Sequence, residues 1–64
     1  MTYYRIYARA LGQNKFKPMD LAEGTQVTNL IHATLVSESQ LPRVMSLLED
    51  YEGEMQFQAR RVQQ

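Results

Sequence analysis

The feature of this chain that most constrains its fold is the alternation of side chains in the stretch YYRIYARA, residues 3–10. Successive side chains of a β-strand point to opposite faces of the sheet, so such alternation is typical of a strand with one buried face. The inward set is Tyr4, Ile6, Ala8 and Ala10, and the outward set is Tyr3, Arg5, Tyr7 and Arg9. The sequence therefore predicts a sheet whose open face carries tyrosine and arginine.

Turns and shorter extended segments are expected to follow this strand. Residues 12–15 and 22–25 contain the glycines and polar residues of turns. Residues 16–21 between them are predicted to be a short edge strand or an ordered loop, because Pro18 cannot donate to a central ladder. Residues 27–37 have apolar side chains on both faces of a pleat, which predicts a central strand covered on both sides. A helix is the alternative for 27–37, but its β-branched residues favour a strand.

One helix is predicted after residue 38. Ser39 can cap it, and Pro42 at the third helical position gives up an N–H that has no partner within the helix. An apolar stripe of Leu41, Val44, Met45 and Leu48 is expected to pack on the sheet. Gly53 is expected to end the helix. Residues 55–62 then form the last strand, with Met55, Phe57 and Ala59 facing the helix and Gln56, Gln58 and Arg60 facing out.

The order of these elements predicts the fold class. Strand, short strand, strand, helix and strand give an α+β fold in which one helix packs on one face of a mostly antiparallel sheet of three to four strands. The strands at 27–37 and 55–62 form a βαβ unit with the helix if they run in parallel. Residues 1–64 are expected to be one domain.

The short chain has no cysteine, which limits how it can be stabilised. A domain of 64 residues has a marginal core, and without disulfides or thiolate metal sites the usual remaining aid is oligomerisation. We therefore expect a homodimer or a partner-bound protein. No apolar run resembles a signal peptide or approaches the length needed to span a bilayer, which predicts a cytoplasmic protein without a membrane partner.

Charge is unevenly distributed along a chain whose net charge is zero. Residues 1–19 carry four basic side chains, residues 20–54 carry all seven acidic ones with Arg43, and Arg60 and Arg61 follow. Such a chain lacks the overall basic excess that gives most non-specific nucleic-acid affinity. Separate patches of opposite sign suit protein recognition or self-association.

Residues able to carry out catalysis are scarce. His32 is the single histidine, placed by the predicted strand on the side of Leu30, Thr34 and Val36, and no cysteine or second histidine could complete a metal or nucleophilic site. Ser37 and Ser39 are interpreted as caps, and the glycines are explained by turns rather than by a phosphate-binding loop. We therefore expect no catalytic residue, no metal, no cofactor and no enzymatic activity.

An acidic group lies where the predicted helix ends. Carboxylates at this end oppose the helix macrodipole. One interpretation is a solvated helix end partly neutralised by Arg60 and Arg61, and the other is a partner-facing acidic patch with a tyrosine anchor. The group consists of Glu49, Asp50, Tyr51, Glu52 and Glu54.

The outward residues of the first strand share the open face with those of the last strand if the two strands are neighbours. We call this set the Tyr/Arg face: Tyr3, Arg5, Tyr7, Arg9, Gln56, Gln58 and Arg60. Tyrosine and arginine favour a protein interface, including self-association, because they combine contact area with bidentate binding of carboxylates. A plain solvated surface, a platform for single-stranded nucleic acid and a site for a small anionic nucleotide shared between subunits are the alternatives.

The stretch KFKPMDLAEGTQVTNLIHATLV, followed by LLED and FQARRV, resembles short uncharacterised proteins of bacteriophages and mobile elements. The resemblance transfers no catalytic or binding residue. It implies a small protein that acts stoichiometrically in the host cytoplasm, by binding and blocking a host protein such as a nuclease or another defence component. The leading hypothesis from sequence is therefore a non-enzymatic protein-binding inhibitor.

Overall fold

The structure is a computed structural model that describes residues 1–50 and 55–62. These residues form five strands, a 3₁₀ helix and an α-helix, so the predicted α+β fold with a mostly antiparallel sheet is confirmed. The strands are β1 (Tyr3–Ala10), β2 (Lys17–Asp20), β3 (Thr25–Gln26), β4 (Leu35–Ser37) and β5 (Met55–Arg61). The 3₁₀ helix is Leu30–His32, and the α-helix is α1 (Leu41–Glu49).

Strand β1 is the centre of the sheet. It pairs antiparallel with β5 along almost its whole length, from Tyr4 opposite Arg61 to Ala10 opposite Met55. Its other edge is shared, because β4 pairs with residues 3–5 and β2 pairs with residues 7–8. Strand β3 extends the sheet beyond β2. The open face of β1 is therefore bordered by different strands at its two ends.

The predicted central strand over residues 27–37 is wrong. The chain leaves the sheet after β3 and forms the 3₁₀ helix, where the Asn29 side chain accepts a hydrogen bond from the Ile31 N–H at 3.0 Å. A side chain that bonds the nearby backbone in this way competes with strand pairing. The apolar residues therefore do not line two buried faces, and the Ile31 side chain is 79% exposed. Only β4 remains of the predicted strand.

Strands β4 and β5 run in the same direction, since both are antiparallel to β1. The condition for the predicted βαβ unit is therefore met, with β1 lying between the two parallel strands. Helix α1 connects them and packs against β4. The described part of the chain contains no helix of the length and apolar character that crossing a membrane requires.

Helix α1 begins without the predicted serine cap. Its N-cap is Gln40, no side chain caps it, and Pro42 is the second rather than the third helical residue. The preceding turn explains this start, because the N–H groups of Gln40 and Leu41 already donate to the carbonyls of Ser37 and Glu38. The Ser39 hydroxyl lies 3.3 Å from the Ser37 hydroxyl instead. The helix ends at Glu49, and Gly53, predicted to end it, lies outside the described residues.

The core lies on the side of β1 that the alternation predicted. Ile6 and Ala8 are fully buried, and Tyr4 and Ala10 are half-buried. The other buried apolar residues are Met19, Ala33 and Val36. The stripe of α1, Leu41, Val44, Met45 and Leu48, is half-buried, as are Met55, Phe57 and Ala59 of β5. The helix therefore covers the sheet only in part.

The two predicted turns are present, and each contains a glycine with positive φ. Gly12 has φ 89° and Gly24 has φ 70°, backbone angles that residues other than glycine rarely adopt. Between the turns, β2 is a strand rather than a loop, and it lies inside the sheet because β3 pairs with it. Pro18 still takes part in backbone pairing through its carbonyl, which accepts the N–H of Val27 at 2.8 Å.

Candidate partner-binding face

The pairing of β1 with β5 brings the predicted outward residues together. Residues directly opposite each other in an antiparallel pair place their side chains on the same face. Three such pairs lie on the Tyr/Arg face: Arg5 with Arg60, Tyr7 with Gln58, and Arg9 with Gln56. Tyr3 completes the row at one end, where its carbonyl accepts the Val62 N–H at 2.8 Å. The face contains three arginines within two strands.

Strands β2 and β4 add residues to this face that sequence reasoning missed. Leu35 lies opposite Arg5 and is 52% exposed, and Pro18 lies opposite Tyr7. Phe16, just before β2, lies near Arg9. The position of Phe16 could have been predicted from the turn at 12–15, because a hairpin at this turn places residue 16 opposite residue 9. Leu35 had no such signal, since it was assigned to a long strand.

Aromatic rings hold two of the arginines on the face. The guanidinium carbon of Arg60 lies 4.1 Å from the centroid of the Tyr7 ring and 5.9 Å from that of Phe16. The guanidinium carbon of Arg9 lies 4.9 Å from the Phe16 centroid. These distances are within the range of cation–π attraction, which contributes about 0.5–1 kcal/mol at exposed sites. One side of each ring is thereby covered by a guanidinium group.

Glutamine amides orient the same two arginines. Arg60 Nε donates to Gln58 Oε1 at 2.8 Å, and Arg9 Nη2 donates to Gln56 Oε1. These acceptors are neutral, so the contacts fix the guanidinium groups without cancelling their charge. Arg60 is exposed like the two glutamines, and Arg9 is half-buried like the aromatic residues, so both cations remain partly accessible at the surface.

Arg5 differs from the other two arginines. Its Nε is buried and has no hydrogen-bond partner in the described part of the chain. It also lies directly opposite Arg60, and like charges in this position destabilise a sheet. Arg5 thus lies opposite a second basic residue in the register of the strands, and its Nε has no acceptor.

The acidic group is placed only in part. Glu49 is the last residue of α1 and Asp50 is its C-cap, and both are exposed. Tyr51, Glu52 and Glu54 lie outside the described residues. The structure therefore places two of the five residues, and the acidic patch stays a prediction.

A cleft of about 410 Å³ lies beside one end of the Tyr/Arg face. Ligand pockets commonly have volumes of about 300–1,000 Å³. Among the described residues that line it, Arg9 is the one cationic residue, and its guanidinium is already shared between Gln56 and Phe16. The other lining residues are Ala10, Leu11, Gly12, Gln13, Met55 and Gln56.

His32 is not on a strand, because the segment that carries it forms the 3₁₀ helix, where the side chain is exposed. Its predicted alignment with Leu30, Thr34 and Val36 is therefore wrong. Across residues 1–50 and 55–62, no three histidine, cysteine, aspartate or glutamate side chains are grouped so that they could hold a metal ion.

The fold and the face define a small α+β protein in which a helix partly covers one side of a sheet and a cationic, aromatic surface occupies the other. Comparison of the chain with protein-family models, with curated proteins and with solved structures finds no match.

Proposed function

We propose that the chain is a non-enzymatic binding protein that contacts a protein partner through the Tyr/Arg face. The observation that carries the proposal is the support of Arg9 and Arg60 by aromatic rings and glutamine amides. Cations held in this way lose little side-chain entropy on binding and keep their charge for a partner. Carboxylates of an acidic protein surface are the groups that arginine binds bidentately.

Two features favour protein over single-stranded nucleic acid as the partner. Single-strand binders stack bases on aromatic faces, whereas Arg60 covers Tyr7 and Arg9 covers Phe16. The chain also has zero net charge, so it lacks the basic excess that dominates nucleic-acid affinity. Tyrosine and arginine beside an exposed leucine are instead the mixture typical of a protein interface.

The resemblance to short proteins of bacteriophages and mobile elements extends this proposal. On that basis the partner is a host protein, such as a defence component, and the chain acts in the host cytoplasm by occupying its surface in a fixed stoichiometry. A second copy of the chain is the other protein partner in the proposal, because a domain of 64 residues gains stability from association.

A variant of the face tests the proposal. Arg5, Tyr7 and Arg9 are replaced together by alanine, and the matched control replaces the exposed Lys15 and Arg43, which removes the same charge elsewhere. Circular dichroism first establishes that both variants fold. Proteins captured from a host lysate are then compared by quantitative mass spectrometry, and the mass of each variant in solution is measured by light scattering.

The expected result is that a partner captured by the wild type and the control, or the dimer mass, is lost in the face variant. Equal capture and equal mass in all three proteins would overturn the proposal. Random single-stranded oligonucleotides provide the competing test, because affinity that falls steeply with salt and disappears when Tyr3 or Tyr7 is replaced would identify nucleic acid as the partner. A thermal shift with a nucleotide would instead identify a small anionic ligand.

A further inference from the structure

We propose that Arg5 and Arg60 together bind one carboxylate of the protein partner, and that Leu35 contacts an apolar residue beside that carboxylate. This inference rests on the proposed function, since it names the chemistry that the Tyr/Arg face recognises. It predicts a partner segment in an extended conformation, with an acidic residue two positions from an apolar one.

The backbone places the two arginines close enough to share an anion. The hydrogen bond from the Val62 N–H to the Tyr3 carbonyl fixes which pairs of β1 and β5 are hydrogen-bonded. Arg5 and Arg60 are the next such pair along the strands, where Cα atoms are about 5.5 Å apart. Two guanidinium groups on one face at this spacing can both reach a single carboxylate.

Unused hydrogen-bond donors point to the same anion. Arg60 uses Nε for Gln58, which leaves its terminal nitrogens for a ligand. Arg5 makes no side-chain hydrogen bond within the described residues, so its terminal nitrogens are also unused, whereas its Nε is buried beyond the reach of a ligand. A carboxylate bound between the arginines would accept from both and would remove the repulsion between their charges. The site is therefore electrostatically incomplete without an anion.

The exposed Leu35, which lies beside the two arginines, favours a peptide over a phosphate as the ligand. Leu35, Arg5 and Arg60 lie opposite one another on three adjacent strands, and Leu35 is 52% exposed. Strands are about 4.8 Å apart, so Leu35 lies roughly 7 Å from the midpoint of the two arginines. Alternate side chains of an extended peptide are spaced by nearly the same distance, about 6.6 Å. A leucine contacting an apolar side chain two positions from the carboxylate fits this spacing.

The experiment uses a synthetic peptide as the probe. Its sequence, acetyl-Gly-Ser-Leu-Ser-Glu-Ser-Gly-amide, places leucine two residues before glutamate, and a second peptide has glutamine in place of glutamate. Each is titrated to about 20 mM, a range suited to the weak affinity of one short contact, while NMR follows the arginine Nε–H signals. The proteins are the wild type, Arg5→Lys, Arg60→Lys and, as control, Arg43→Lys on the exposed side of α1.

We expect saturable binding of the glutamate peptide, with the Nε–H signals of Arg5 and Arg60 shifted progressively as the carboxylate binds the terminal nitrogens beside them. Lysine keeps the charge but loses the guanidinium fork, so Arg5→Lys and Arg60→Lys should each weaken binding at least about tenfold, while Arg43→Lys has no effect. The glutamine peptide should also bind at least about tenfold more weakly.

Equal affinity across the variants, equal affinity for the two peptides, or no saturable binding would overturn the inference. Inorganic phosphate at matched ionic strength that binds the Arg5 and Arg60 pair more tightly than the glutamate peptide would overturn the choice of carboxylate. The proposed function has a separate readout. If the alanine variant of the face loses its captured partner while Arg5→Lys and Arg60→Lys keep it, the face binds protein but this pair does not bind a carboxylate.

Discussion

Replacing Ile6 by alanine should destabilise the protein strongly, whereas the same replacement at Ile31 should have almost no effect. Ile6 is 0% exposed at the centre of β1, and Ile31 is 79% exposed in the 3₁₀ helix. Removal of a buried isoleucine side chain costs about 2–5 kcal/mol, because apolar contacts are lost and a cavity remains. Substitutions at exposed positions change the free energy of unfolding by about 0.5 kcal/mol or less.

The size of the chain makes this difference easy to measure. A domain of 64 residues is expected to have a free energy of unfolding of roughly 3–10 kcal/mol. For so small a domain each 1 kcal/mol shifts Tm by about 4–8 °C, so Ile6→Ala should lower Tm by about 8 °C or more. Ile6→Val removes one methylene and should cost about 0.5–1.5 kcal/mol, which gives a graded variant that still folds.

The assay is urea unfolding followed by far-UV circular dichroism for the wild type, Ile6→Ala, Ile6→Val and Ile31→Ala. Each is measured at two protein concentrations, because association stabilises a dimer by mass action. An Ile31→Ala variant as unstable as Ile6→Ala would mean that residues 27–37 are buried, as a strand covered on both sides requires. An Ile6→Ala variant as stable as the wild type would refute the assignment of the core face of β1.

Substitutions at three further positions test particular features of the backbone by the same unfolding measurement. Gly12→Ala should cost about 1–2 kcal/mol because the residue has φ 89°, although no atom outside residues 11–13 lies within 4 Å of the added methyl group; an unchanged midpoint would refute the strain. Gln26→Ala removes a 2.8 Å hydrogen bond to the Ala8 carbonyl and should cost about 1 kcal/mol, with Gln26→Glu unable to restore it because a carboxylate cannot donate. Asn29→Ala removes the acceptor for the Ile31 N–H and should cost about 1 kcal/mol, whereas Asn29→Asp, which keeps an acceptor, should cost less.

The first and last strands could be predicted from sequence because each carries its own periodic signal. The alternation in β1 identified Ile6 and Ala8 as core residues, and the alternation in β5 separated Phe57 and Ala59 from the exposed glutamines. Period-two alternation is enforced wherever a strand buries one face, since a shift by one residue would reverse every side chain. The residues of the Tyr/Arg face followed from this rule once the two strands were taken as neighbours.

The segments that sequence reasoning misplaced depend on competing local hydrogen bonds. The apolar residues of 27–37 look like a buried strand, but Asn29 bonds the backbone two residues later and starts a 3₁₀ helix. Ser39 looks like a helix cap, but carbonyls of the preceding turn already accept the N–H groups of Gln40 and Leu41. Composition cannot decide such cases, because the alternatives contain the same residues and differ in which local hydrogen bonds form.

The misplaced strand also changes what the face can bind. In the register of β4, which sets Leu35 opposite Arg5, a strand continuing back through residues 33 and 31 would have placed Ala33 beside Tyr7 and Ile31 beside Arg9. The chain instead gives that edge of β1 to β2, so Pro18 lies beside Tyr7 and the Phe16 ring lies under Arg9. Strand β4 is short and reaches only as far as Leu35, which lies opposite Arg5 and is exposed. At the other end of the face, Arg9 and Arg60 are stacked on aromatic rings. This arrangement supports the proposal that the face binds an acidic and partly apolar protein segment rather than a row of stacked bases.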